Sequence, residues 1–336
     1  MRDHPLPRPF KISVDFGNAF EVDVDVLVLK YAQNFHGADK AAYGLLTKAG
    51  IKLRLPKPNG FAFQRSVGSM TPKNILFVGV APLHDFAYSE IRDFARRAMT
   101  FLAQEASDVQ SVALTIHGPN YGLDEVEAFE SELAGIVEAA VKGYLPRNLK
   151  SVSFVEFDAG RASRLTLVLK RLFPDGTILV HEGGAATGIE GRTQRTLRSA
   201  GNASSRKSHV FVAMPFAKEM DDVFHYGIQG AVNAAGLLCE RADLSSFTGD
   251  VIDWVKQRIS DATLVIADLS SANPNVYLEV GYAWGRQIPT VLIVRNTDEL
   301  KFDTRGQRCI PYDSIKNLED LLGKELQGLW RSGKIS

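Results

Sequence analysis

At 336 residues the chain is long enough for two ordinary domains, and 45% hydrophobic against 23% charged residues is a core-forming composition that excludes a disordered or fibrous protein. Its 39 basic and 39 acidic residues leave a formal net charge of zero, so no overall field attracts a phosphate backbone and nucleic acid is not expected as a partner. The longest apolar runs, such as 26–29 and 264–267, fall far below the roughly 20 residues of a membrane span; the charged, Pro-rich start MRDHPLPRPF has no apolar signal core, and two cysteines, Cys239 and Cys309, build no disulfide framework, so a cytoplasmic protein is expected.

From Phe10 to Glu182 the pattern alternates. Strands are predicted at 10–16, 22–30, 61–67, 74–80, 111–116, 150–157 and 177–181, rich in Val, Ile and Phe between Gly, Pro and Asn punctuation. Tyr88, Ile91, Phe94, Ala98 and Leu102 recur at helical spacing, as do Val126, Phe129, Leu133, Ile136, Val137 and Ala140. A mixed sheet covered by helices is implied. Residues 183–207 are small, polar and basic, which reads as an interdomain linker between a first domain, 1–182, and a second, 208–336. In the second, strands at 209–214, 237–241, 263–268, 290–294 and 309–312 alternate with helices at 218–235, 248–260 and 276–286, and 314–330 closes the chain. Regular alternation with short connections predicts a flavodoxin-like, doubly wound parallel sheet, whose ligands bind beyond the carboxyl ends of the strands.

Those ends carry polar residues in quick succession. They are Met214-Pro215-Phe216 with Lys218 behind it, then Arg241 and Asp243, then Asp268 and Ser270, then Asn273, Asn275, Tyr277 and Glu279. Several have a plain structural reading: Asp268 can cap a turn, Asn273 and Asn275 flank a proline as helix-cap residues do, and Arg241 with Asp243 can form a surface ion pair. Glu279 is harder to explain this way, because on a helix from Val276 it lies beside Val280 and Ala283 near the sheet, where a carboxylate is costly without a role or partner. The helix opening after Phe216 offers free N–H groups for a phosphate or sugar oxygen, with Lys218 adding positive charge.

The run VIADLSSANPNVYLEVGYAWGRQIPTVLIV, with VFVAMPF and ERAD before it, resembles the nucleoside 2-deoxyribosyltransferase family and its TIR-like relatives over about 208–313. The resemblance implies that Glu279 is the nucleophile toward the anomeric carbon of a sugar. It implies that Asp268 holds base or ribose, and that the Met214–Phe216 turn contacts the substrate through backbone groups. The chemistry is coherent, since breaking an N-glycosidic bond gives the sugar oxocarbenium character that a carboxylate stabilises or traps, with no metal or cofactor needed. The seven histidines form no i, i+4 pair or His-Glu motif, so zinc catalysis is not expected.

In the first domain two loops follow predicted strands. One is Asn34–Ala41, with His36, Gly37 and Asp39; the other is His117–Gly122, with Gly118, Asn120 and Tyr121. Both serve equally as simple turns. The block 74–140 resembles the macro-like N-terminal domain of leucine aminopeptidases and, more loosely, macro domains, in which a glycine-bearing loop cradles the phosphates of ADP-ribose; no peptidase metal cluster follows it. Together the resemblances imply an N-glycosidase, with NAD as its expected substrate. A macro-like domain would control it by sensing a nucleotide-derived signal, in a homo-oligomeric bacterial antiphage effector. The alternatives are a nucleoside or nucleoside-monophosphate deoxyribosyltransferase or N-glycosidase, and a nucleotide-binding signalling module without turnover.

Overall fold

The computed structural model describes residues 8–82, 87–119, 122–180, 186–187, 191–241, 251–295 and 308–335. The chain divides into two compact units, one of Met1–Gly118 with Glu125–Ser205 and the other of Pro119–Asp124 with Arg206–Ser336.

The first unit contains β1 (Arg8–Phe16), β2 (Val26–Tyr31), α1 (Ala38–Lys48), β3 (Phe61–Arg65), β4 (Asn74–Gly79), α2 (Tyr88–Glu105), β5 (Ser111–Thr115), α3 (Glu125–Val141), β6 (Ser151–Glu156), α4 (Ala159–Leu172), β7 (Thr177–Val180), β8 (Ala186–Thr187) and α5 (Gly191–Ser199). Its sheet runs β3-β4-β2-β5-β6-β1-β7-β8. The five strands β4, β2, β5, β6 and β1 are parallel, while β3, β7 and β8 pair antiparallel at the two sides. Central strands buried on both faces need continuous apolar runs rather than alternation, and Val26–Leu29 and Ile75–Val78 supply them. α3 is buried along almost its whole length although it carries Glu125, Glu127, Glu130 and Glu132. Each acid has a partner: Arg164 grips Glu125 at 2.6 and 3.0 Å, Ser204 bonds Glu127, Arg171 reaches Glu130 at 3.2 Å and His117 meets Glu132 at 3.2 Å.

Two sequence expectations change here. Residues 34–41 are not all loop, because α1 begins at Ala38 and places Asp39 in its first turn. The segment 183–207 does not read as a simple linker either, since it contains β8 and α5 and belongs mostly to the first unit. Leu197 and Ala200 are buried, and Arg92 of α2 donates to the carbonyls of both, at 2.7 and 2.6 Å. A guanidinium thus satisfies carbonyls at a helix C-terminus, where positive charge is favoured. One buried leucine and a distant arginine leave no periodic signal in sequence.

The second unit contains β9 (His209–Ala213), a π-helical turn (Val223–Gln229) running into α6 (Gly230–Ala234), β10 (Leu238–Glu240), α7 (Val251–Asp261), β11 (Leu264–Asp268), α8 (Pro274–Gly285), β12 (Thr290–Val294), β13 (Cys309–Pro311) and α9 (Ile315–Arg331). The order is β10-β9-β11-β12-β13 and every pairing is parallel. This is the doubly wound sheet the sequence pattern predicts. β9 and β11 are wholly buried. Val210, Val212 and Ile266 pack with Ile228, Val232 and Leu322 in one cluster, while Phe211, Val265 and Ala267 pack with Ile259, Val276 and Val280 in another. The order reverses between β9 and β11, which is where such sheets open a crevice at the carboxyl ends.

Candidate active site

The carboxyl ends of β9, β10 and β11 deliver the residues singled out above. After β9, Met214 is buried and Phe216 is 45% exposed, followed by the exposed Lys218. Arg241, after β10, is held among them: its guanidinium lies 4.9 Å from the Phe216 ring centre and 4.2 Å from that of Phe224, and it approaches Met214 Sδ at 3.7 Å and Asp221 at 3.3 Å. Rings, thioether and the Asp221 carboxylate together hold a partly buried cation in place. The expected partner Asp243 lies outside the described residues, as do Asn120 and Tyr121.

β11 ends at Asp268, whose side chain is fully buried. One carboxylate oxygen accepts from Ser270 N at 2.9 Å and the other from the Tyr312 hydroxyl at 2.7 Å. Burial pushes the Asp268 carboxyl up, opposed by the Ser270 and Tyr312 hydrogen bonds and the nearby positive charge of Arg295. Asn273 then caps α8, its side chain accepting from Asn275 N at 2.9 Å, and Pro274 opens the helix where a missing N–H costs nothing. Val276, Val280 and Ala283 point into the core, and Tyr277 packs against it. Glu279 flanks that stripe and is partly buried. It makes no hydrogen bond or ion pair among the described residues, and burial alone pushes its carboxyl up to about 7. A carboxylate with no hydrogen bond or ion pair among the described residues, on the helix that follows β11 and raised by burial to about 7, is suited to meet a developing positive charge.

The first unit gathers a different set. Gly37 takes φ 75°, a left-handed conformation that glycine adopts without strain, and this lets Asp39 accept from His36 N at 2.8 Å and Lys40 N at 3.0 Å. Lys30, Asp39, His117 and Glu132 are all buried. Burial lowers Lys30 and lowers His117 strongly, raises Glu132 strongly, and brings Asp39 up to about 6. Asp39 Oδ2 and Glu132 Oε2 have no hydrogen-bond partner. His117 is therefore a packed interior residue, its ring edge against Phe94 and Nε2 3.4 Å from Thr115, rather than a loop residue open to a ligand. Gly118, the last residue of this stretch in the first unit, holds positive φ at 104°; Gly122, which belongs to the second unit, does so at 89°.

Three contributors were not visible as such in the sequence: Asp221 and Phe224, which hold Arg241, and Tyr312, which holds Asp268. Tyr312 alone left a signal, since it ends a predicted strand at the ligand-binding edge. Among the described residues no group of three His, Cys, Asp or Glu side chains could hold a metal ion, and no helix is long and apolar enough to cross a membrane.

No family model matches the chain and no curated protein matches it. Among solved structures, a CMP N-glycosidase of Clostridium botulinum is 19% identical, covering 35% of this chain and 99% of its own with a TM-score of 0.30. The Trypanosoma brucei macrodomain bound to ADP-ribose is 13% identical over 47% of this chain and 69% of its own, TM-score 0.36. An Oceanobacillus iheyensis macrodomain is 13% identical over 50% and 98%, TM-score 0.35.

Proposed function

We propose that the second unit is an N-glycosidase acting on a nucleotide-type substrate, with Glu279 as its carboxylate. The observation that carries this reading is Glu279 itself, partly buried, without a hydrogen bond or ion pair among the described residues and raised to about 7 by burial. In the reaction a Glu279 oxygen bonds to the anomeric carbon while the C–N bond breaks and its electron pair leaves with the base; water then releases the sugar and restores the carboxylate. NAD is the preferred substrate within this reading, because nicotinamide departs as a neutral molecule and needs no acid. Arg241 and Lys218 would meet substrate phosphates, and Met214–Phe216 would face base and sugar. The first unit is proposed to bind a nucleotide of the ADP-ribose type through the His36–Asp39 segment and Gly118. That would place the enzyme under ligand control, in a self-associating effector of bacterial antiphage defence.

The test is to incubate the full-length protein with NAD, deoxynucleosides and nucleoside monophosphates and to follow released base by chromatography. Release of nicotinamide without a second base supports NAD hydrolysis, and exchange of one base for another identifies a transferase. Binding without release from any of them would make the unit a recognition module.

A further inference from the structure

Three strand ends of the second unit converge on one short turn. Asp268 closes β11 and spends both carboxylate oxygens inside the protein, on Ser270 N and on the hydroxyl of Tyr312, the residue after β13. Arg295, after β12, donates its backbone N–H to Ser270 Oγ at 3.0 Å, and its guanidinium sits 5.7 Å from the Tyr312 ring centre. The turn they grip, Ser270–Ala272, has Ser271 at φ 62° and Ala272 at φ 46°. Residues with a Cβ hold that left-handed conformation only where the surroundings impose it. The next residue is Asn273, the cap of α8, and Glu279 lies six residues beyond. With no exposed surface and no oxygen to spare, Asp268 is in no position to hold a sugar hydroxyl.

We propose that Tyr312 is a positioning residue for the candidate site: its hydroxyl fixes Asp268, Asp268 fixes the left-handed turn, and the turn aims the helix that carries Glu279. This rests on the glycosidase reading of Glu279. Removing the hydroxyl leaves a buried carboxylate oxygen without its donor, and the turn relaxes. Asp268→Asn, by contrast, keeps an acceptor for Ser270 N and turns an amide N–H₂ toward the Tyr312 oxygen, so the bonds survive without the charge.

The experiment compares full-length wild type, Tyr312→Phe and Asp268→Asn, with Tyr282→Phe as a control tyrosine bonded to Ser260 Oγ at 3.1 Å. In base release, Tyr312→Phe is expected to lower kcat by about 10–100-fold with KM within about twofold, and Asp268→Asn to retain kcat within about fivefold. A wild-type kcat in Tyr312→Phe would overturn the proposal. So would an Asp268→Asn variant whose KM rises at unchanged kcat, since Asp268 would then touch substrate. If wild type releases no base at all, the glycosidase reading fails, and carboxyl NMR titration of Glu279, which needs no substrate, still decides the positioning role. A midpoint displaced by about half a unit or more in Tyr312→Phe but not in Tyr282→Phe supports it, and identical midpoints overturn it.

Discussion

Glu279 carries a cost that pH exposes. Its folded-state value of about 7 lies above the ordinary glutamate value of 4.5, so the folded protein binds the proton more tightly than the unfolded chain does. For such a group stability is greatest below about pH 4.5 and falls as pH rises toward 7, by about 1.4 kcal/mol per unit and on the order of 3 kcal/mol in all. Glu279→Gln abolishes the titration. Denaturant unfolding should therefore show the variant and wild type close together at pH 4.5 and the variant more stable by about 2–3 kcal/mol at pH 8; a constant difference across that range would mean that Glu279 is solvated as an ordinary surface acid. Asp268 is the opposite kind of acid, also raised by burial but satisfied by neighbours. Strand-end position alone does not separate the two roles; the partners of each oxygen do.

At the scale of elements, the residues that seat a helix are often those with nothing to show in a hydrophobic pattern. Gly135 of α3 faces α2 so closely that a Cβ would stand 2.1 Å from the carbonyl oxygen of Arg92. Gly135→Ala must push two buried helices apart, and a loss of about 2–3 kcal/mol is expected in chemical denaturation. A loss below about 0.5 kcal/mol would mean that the helices separate freely. α8 is seated by other means, the Asn273 side chain on Asn275 N and Pro274 in the first turn, so Asn273→Ala should cost about 1 kcal/mol and lower base release together. α8 and β11 were legible in the sequence because an Asn-Pro cap and a four-residue apolar run each have one local cause. The sequence spacing predicts an ordinary helix over 218–235, whereas Val223–Gln229 is π-helical; Gly227 there lies 2.8 Å, by its would-be Cβ, from Leu318 of α9, a packing fact that no window of sequence contains.

For the whole molecule, the two α/β units and nearly all their strands follow from alternation, because buried parallel strands leave unbroken apolar runs. What escaped was structure made by distant polar partners: α5 held by Arg92, the glutamates of α3 held from other elements, and Asp268 held from β13. The candidate site was legible as a set of residue types at strand ends, but their division into ligand-facing and structural roles was not. The segment 183–207 shows the consequence most clearly. Since Leu197 is buried in the first unit, Leu197→Ala is expected to destabilise the full chain by about 2–4 kcal/mol, where a solvated linker would tolerate it with no measurable change. Ligand control is open to test at the same scale: Gly118 holds φ 104°, so Gly118→Val strains its loop, and calorimetry with ADP-ribose should show binding to wild type weakened at least about tenfold in the variant. Equal affinities would remove that loop from the proposed site.

If Glu279 performs the chemistry, its ionisation must govern the rate. The deciding measurement is the pH dependence of base release from the best substrate, in wild type and in Glu279→Gln at matched protein concentration. The wild-type rate is expected to rise with ionisation of one group near pH 7, and the variant to fall by about a hundredfold or more with substrate affinity retained and that ionisation gone. A variant that releases base at the wild-type rate, with the same pH profile, would contradict that role for Glu279.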